Sequence, residues 1–156
     1  MTRACATLGR VTDSPHPTTP DATASEVSTI TAPQVVVLAA GFGRRLGGGI
    51  PKALVELVDG RTILDQQLDH LRTVLGDPRV HVVVGHKAAL VLEARPDVLF
   101  VYNPAFEFTN TAKSLLCALR LCAPGDVLWL NGDVVFDPHV VERLVRTARD
   151  TGRSCV

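Results

Sequence analysis

Between Leu38 and Lys52 the chain reads LAAGFGRRLGGGIPK, glycine backbone interrupted by permanent positive charge. Gly41 and Gly43 let the chain bend with its N–H groups facing inward, an arrangement that cradles anions. Arg44, Arg45 and Lys52 put cations beside that bend, and Pro51 fixes the backbone just ahead of the Lys52 ammonium. The same composition also suits a plain glycine-rich turn with solvated arginines. Spacing excludes two better-known loops. A dinucleotide cradle wants G-x-G-x-x-G, and position 46 is Leu; a P-loop wants Gly-Lys followed by Ser or Thr, which is absent. Far along the chain, LWLNGDVVF places Asp133 directly after an apolar run, where a lone carboxylate needs a reason. An ordinary Asn-Gly-Asp turn is the competing explanation.

These residues need elements to hold them. Val35–Ala39 is a continuous β-branched run, expected for a strand covered on both faces, and VHVVVG, VLFVY and DVLWL repeat the pattern. A short extended piece over Leu54–Leu57 leads to an Asp59-Gly60 turn. In RTILDQQLDHLRTVLG, Thr62 and Asp65 make a capping-box-like start. Leu64, Leu68, Leu71 and Leu75 share one helical face, and Gly76 ends the helix. Weaker helices are expected over Ala88–Glu93 and from about Ala112, the latter with Leu115, Leu119 and Cys122 on one side. Asp137 caps a last helix with Pro138 in its first turn and Val141, Leu144, Val145 and Ala148 facing inward. RSCV reads as a further strand just begun. Strand and helix alternating in this way specify an α/β fold, a mainly parallel sheet layered between helices. Ligands in such sheets sit beyond the carboxyl ends of the strands, so the informative loops begin at Ala40, Gly85, Asn103 and Asn131.

Composition narrows the classes. The 156 residues fit one domain. Residues 1–33, rich in Thr, Ser, Pro and Ala, are expected to be a disordered tail, with the folded domain over residues 34–156. Sixteen basic and sixteen acidic side chains cancel, so no overall field draws nucleic acid or anionic membrane; an anion must be met by a local site. No apolar run is long enough for a membrane span and no signal peptide is evident, which makes the cytoplasm the default. Cys117 and Cys122 are expected to be small buried residues, and no cysteine or histidine spacing suggests zinc.

The first loop resembles the signature of nucleotidyltransferases that join a nucleoside monophosphate to a phosphorylated acceptor: L-A-A-G-x-G-x-R, then Pro-Lys after a short gap. Leu38, Ala39, Ala40, Gly41, Gly43, Arg45, Pro51 and Lys52 match it. The resemblance spans residues 34 to about 150 and implies a Rossmann-like three-layer α/β/α domain lacking the C-terminal part of the family's fold. It implies that an acceptor oxygen attacks the α-phosphorus of a nucleoside triphosphate while pyrophosphate leaves, with Arg45 and Lys52 as the catalytic cations. Asp133 matches a family carboxylate that binds Mg²⁺, a hard cation that usually keeps several waters and takes substrate phosphates as ligands. The family supplies a second metal-binding aspartate from later strands, and nothing downstream of Asp133 matches it convincingly. Gly85 matches a glycine against which the base packs.

YNPAFEFTNTAKSLLCAL resembles a pocket-lining segment of phosphocholine-type cytidylyltransferases through Asn103, Asn110 and Ser114, with Phe106 at the aromatic position and Thr111 replacing a second Asn. Asn110 or Thr111 as a helix cap explains the same residues. AAGFGRRL, PKAL and GRTILDQQLDHL also resemble the methylerythritol-phosphate cytidylyltransferases, but NGDVVFD departs from them. The expectation is therefore CTP as donor and a phosphocholine- or sugar-phosphate-type acceptor, with a non-catalytic nucleotide-binding remnant or a self-associating fragment as the alternatives.

Overall fold

The computed structural model describes residues 6–11, 33–41 and 49–156. Strand β2 (Gln34–Leu38) sits at the centre because Val35, Val36 and Val37 are all fully buried. Successive strand side chains point to opposite faces, so an unbroken valine run requires cover on both. On one face Val35 and Val37 join β3 (Val80–Val84) residues Val82 and Val84 and β5 (Gly125–Asn131) residues Leu128 and Leu130. They pack beneath Leu64, Leu68 and Leu71 of α1 (Ile63–Leu75), Val91 of α2 (Ala88–Ala94), and Val141 and Val145 of α4 (Pro138–Thr151). On the other face Val36, Val83 and Val127 meet Ala118 of α3 (Thr111–Leu119) and Val101 of β4 (Leu99–Tyr102). Burying each such side chain contributes about 1.5–3 kcal/mol, so the two valine faces fix which strand lies inside.

With β1 spanning Ala6–Val11, the sheet order is β1-β5-β2-β3-β4, with β2, β3, β4 and β5 parallel. That is the three-layer, mainly parallel α/β architecture expected from the strand–helix alternation. Thr62 caps α1 as its sequence suggests: its hydroxyl accepts the Asp65 N–H at 3.1 Å and Asp65 accepts the Thr62 N–H at 3.0 Å. Asp137 caps α4, with Pro138 in its first turn.

Four local expectations need correction. Part of the supposed tail is a strand: β1 (Ala6–Val11) pairs antiparallel with β5, Leu8 opposite Leu128, and buries Leu8. The final residues form no strand of their own beyond an isolated bridge, in which Cys155 pairs antiparallel to Leu8 on the outer side of β1. Leu54 belongs to a 3₁₀ turn (Lys52–Leu54) rather than to an extended piece. Cys117 and Cys122 are half-buried, because they lie on the flanks of α3 and its exit rather than on the Ser114–Ala118 line that faces the sheet. No helix among the described residues is long and apolar enough to cross a membrane.

Candidate nucleotide site

Two parallel neighbours end together. Leu38 of β2 is level with Asn131 of β5, so the segments leaving both strands emerge side by side at one end of the sheet. The Gly132 N–H donates to the Leu38 carbonyl at 2.9 Å. A Cβ at position 132 would stand 3.0 Å from that oxygen and 3.2 Å from the Ala39 Cβ, so any larger residue would need the two exits to part by a few tenths of an ångström. The next residue, Asp133, is thereby delivered beside the start of the glycine-rich loop. From the far end of that loop the buried Pro51 leads into the 3₁₀ turn, and the Lys52 ammonium donates to the Asp133 carboxylate at 2.8 Å. Both side chains keep about a third of their surface exposed, 33% and 36%. An ion pair at that exposure contributes about 0.2–1 kcal/mol, little enough for an incoming polyanion and cation to separate it. Lys87, in a left-handed conformation ahead of α2, donates to the Gly49 carbonyl at 2.6 Å and ties the loop's end to the exit of β3.

A cavity of about 300 Å³ opens between these exits. Leu38, Ala40, Gly41, Asn110, Ser114 and Asp133, all singled out in the sequence, line it. Phe106, Thr109, Thr111 and Asn131 complete the wall. Phe106 and Thr111 fill the aromatic and second-Asn positions of the segment quoted above, which is the signal in the sequence that points to them. Gly43, Arg44 and Arg45 lie outside the described residues.

Of two expected contacts, Asn103 sits behind the wall and Asn110 is in it. Asn103 is 2% exposed and its side-chain amide donates to Thr109 at 2.9 Å and to Ser114 at 3.0 Å, while its Oδ1 accepts the Ala105 N–H at 3.0 Å. It holds the hydroxyls of the wall instead of lining the cavity. Asn110 is the N-cap of α3, accepting the Lys113 N–H at 3.1 Å, so the capping explanation is realised even though the residue also borders the cavity.

Gly85 is covered by Phe106: an added Cβ would lie 2.6 Å from the Phe106 Cβ and 2.8 Å from the Ala40 carbonyl. Gly85→Ala is therefore expected to push Phe106 off the strand exit and to destabilise the fold by about 1–3 kcal/mol, read as a lowered urea midpoint. An unchanged midpoint would contradict the packing of Phe106 on Gly85.

The groups gathered at the carboxyl ends of the parallel strands are a cation, a single carboxylate, hydroxyls and an exposed glycine backbone, a set with the chemistry to receive a phosphate. Among the described residues no cluster of three or more His, Cys, Asp or Glu side chains could encage a metal. A lone aspartate fits Mg²⁺, which usually completes its shell with water and substrate phosphates, and fits zinc or calcium poorly.

Residues 35–156 match the family model of the MobA-like NTP transferase domain. The chain belongs to that family. The match starts at Val35, inside β2, and takes in the glycine-rich loop, Lys52 and Asp133. Among curated relatives, the CMP-5'-(3-aminopropyl)phosphonate synthase of Streptomyces rubellomurinus is 43% identical over 120 residues, 71% of this chain and 19% of that protein. The bifunctional protein GlmU of Burkholderia orbicola is 40% identical over 120 residues, 74% of this chain and 26% of its own length. This MobA-like chain thus spans about a fifth to a quarter of these relatives. Among solved structures, a nucleotidyl transferase from a Methanothermobacter species superposes with a TM-score of 0.61 at 28% identity, over 72% of this chain and 56% of that one. The CTP:phosphocholine cytidylyltransferase of Streptococcus pneumoniae shares the fold, with a TM-score of 0.58 at 23% identity over 67% of this chain and 47% of that one.

Proposed function

We propose that this MobA-like chain transfers a nucleoside monophosphate from a nucleoside triphosphate, CTP by preference, to a phosphorylated small molecule of the phosphocholine or sugar-phosphate type, releasing pyrophosphate in the cytoplasm. The observation that carries the reading is the meeting of the Lys52 ammonium and the Asp133 carboxylate beside the cavity where β2 and β5 end. In the reaction an acceptor phosphate oxygen bonds to the α-phosphorus as the α–β bridging bond breaks, and the electron pair leaves on pyrophosphate. Negative charge grows on the α-phosphate and the leaving group, so fixed positive charge is what the site must supply. Lys52 turns from Asp133 to the phosphates, the exposed Gly41 allows close approach of the chain, and Arg45 adds a second cation. Asp133 would hold Mg²⁺, which when bound neutralises phosphate charge.

Support for cytidine comes from the 43% identical relative, a synthase of CMP-5'-(3-aminopropyl)phosphonate. Pyrophosphate release measured with each of four ribonucleoside triphosphates, Mg²⁺ and a panel of phosphorylated acceptors tests the reading. Release with CTP and a phosphomonoester is expected. Nucleotide binding without release under every combination would overturn transfer and leave a binding domain.

A further inference from the structure

Gln67 is out of place by the logic of its helix. It lies on α1 within the Leu64–Leu68–Leu71 stripe, is 1% exposed, and is surrounded by the larger of the two cores. A methionine would fill that space, and the glutamine brings a polar amide whose Oε1 finds no partner among the described residues. Burying an unpartnered carbonyl is unfavourable, so the residue needs a compensating role.

Both hydrogens of its amide point to one place. Nε2 donates to the Asn131 carbonyl at 2.9 Å and to the Val134 carbonyl at 2.6 Å. Both partners are acceptors, which fixes the amide orientation, since the flipped form would set oxygen against two oxygens. Asn131 and Val134 bracket Gly132 and Asp133. One turn further along α1, the His70 Nδ1 lies 2.9 Å from the Phe136 carbonyl, donating in the tautomer protonated at that nitrogen. The Gly132 N–H is held from the opposite side by Leu38. The loop that carries Asp133 is thus stapled to α1 on one side and to β2 on the other, while the carboxylate itself stays half-exposed toward Lys52.

We propose that Gln67 is a positioning residue that sets the affinity of the site for its divalent cation by fixing the backbone on either side of Asp133. The proposal rests on Asp133 being the cation's carboxylate, and it extends that assignment to a residue buried in the core. Outer partners that orient a metal ligand typically change metal affinity 10–100-fold when removed.

The test uses Gln67→Met, which keeps side-chain length and removes both donors, with Gln67→Leu in its place should that variant not fold. Leu71→Ala is the control, because it opens a cavity in the same core without touching the loop. Amide hydrogen exchange across 132–134 in the nucleotide-free protein reads the staple. Mg²⁺ titration of binding to a non-hydrolysable CTP analogue reads its consequence. Gln67→Met is expected to speed exchange at these amides and to raise the Mg²⁺ needed for half-saturation about 10-fold or more. Leu71→Ala should lower overall stability yet leave the Mg²⁺ requirement within about twofold. Unchanged exchange in Gln67→Met, or an equal Mg²⁺ shift in both variants, would overturn the proposal. Asp133→Asn, run alongside, separates the two levels. If it leaves the Mg²⁺ requirement unchanged, the cation assignment fails, and the exchange data alone then decide whether Gln67 holds the loop.

Discussion

Lys52→Ala is expected to reduce pyrophosphate release about 10²–10³-fold while the protein stays folded. The ammonium is the one side-chain cation that the described residues place against Asp133, and no other of them replaces it there. In the displacement it would face phosphate oxygens whose charge grows as the bridging bond breaks, so its loss is felt more in turnover than in binding. The fold should tolerate the change because the deleted contact is a half-exposed ion pair of about 0.2–1 kcal/mol, and the adjoining turn is held by backbone bonds from Leu54 to Pro51 and Val55 to Lys52. Steady-state kinetics together with circular dichroism check both halves. A variant that unfolds, or one that turns over at the wild-type rate, would remove Lys52 from the chemistry.

Asp133→Asn should act in two directions. Turnover is expected to fall about 10³-fold, because under the proposed function Asp133 would anchor the cation and an amide is a poor ligand for a hard dication. Mg²⁺-free binding of CTP should tighten several-fold. The carboxylate both occupies Lys52 and repels a triphosphate, and at an effective dielectric of about 20 a like-charge contact at 4 Å costs up to about 4 kcal/mol before screening. Equilibrium binding measured with and without Mg²⁺ separates the two effects. If the variant binds CTP more weakly in the absence of cation, Asp133 is serving as a structural partner of Lys52 and not as a metal carboxylate.

The difference between what could be read from the sequence and what needed coordinates follows the range of the forces involved. Val35–Val37, the Thr62–Asp65 cap and the Asp137-Pro138 start are decided within a few residues, by burial on both faces or by local hydrogen bonds, and each is where its local pattern puts it. Strand β1 is decided elsewhere. ATLGRV sits in a stretch whose composition favours disorder, and its conformation comes from the open edge of β5, more than a hundred residues away, which accepts it in register. That Lys52 and Asp133 emerge from loops at the same end of one sheet follows from strand–helix alternation; that they touch, across 81 residues, does not. Asn103 shows the same limit in reverse. Its residue type suits a ligand contact, but the direction of its side chain, inward to Thr109 and Ser114, depends on how α3 packs on the sheet. Gln67 carried a legible signal, a polar residue three after Leu64 and four before Leu71 on the apolar stripe, which periodicity marks as core.

A crystal structure with a non-hydrolysable CTP analogue and Mg²⁺ tests the phosphate site most directly. The triphosphate is expected in the cavity between the exits of β2 and β5, with the Lys52 ammonium moved from Asp133 to a phosphate oxygen and a cation held by the Asp133 carboxylate. Nucleotide bound at another surface, or bound in the cavity with Lys52 still paired to Asp133 and no cation on that carboxylate, would contradict it.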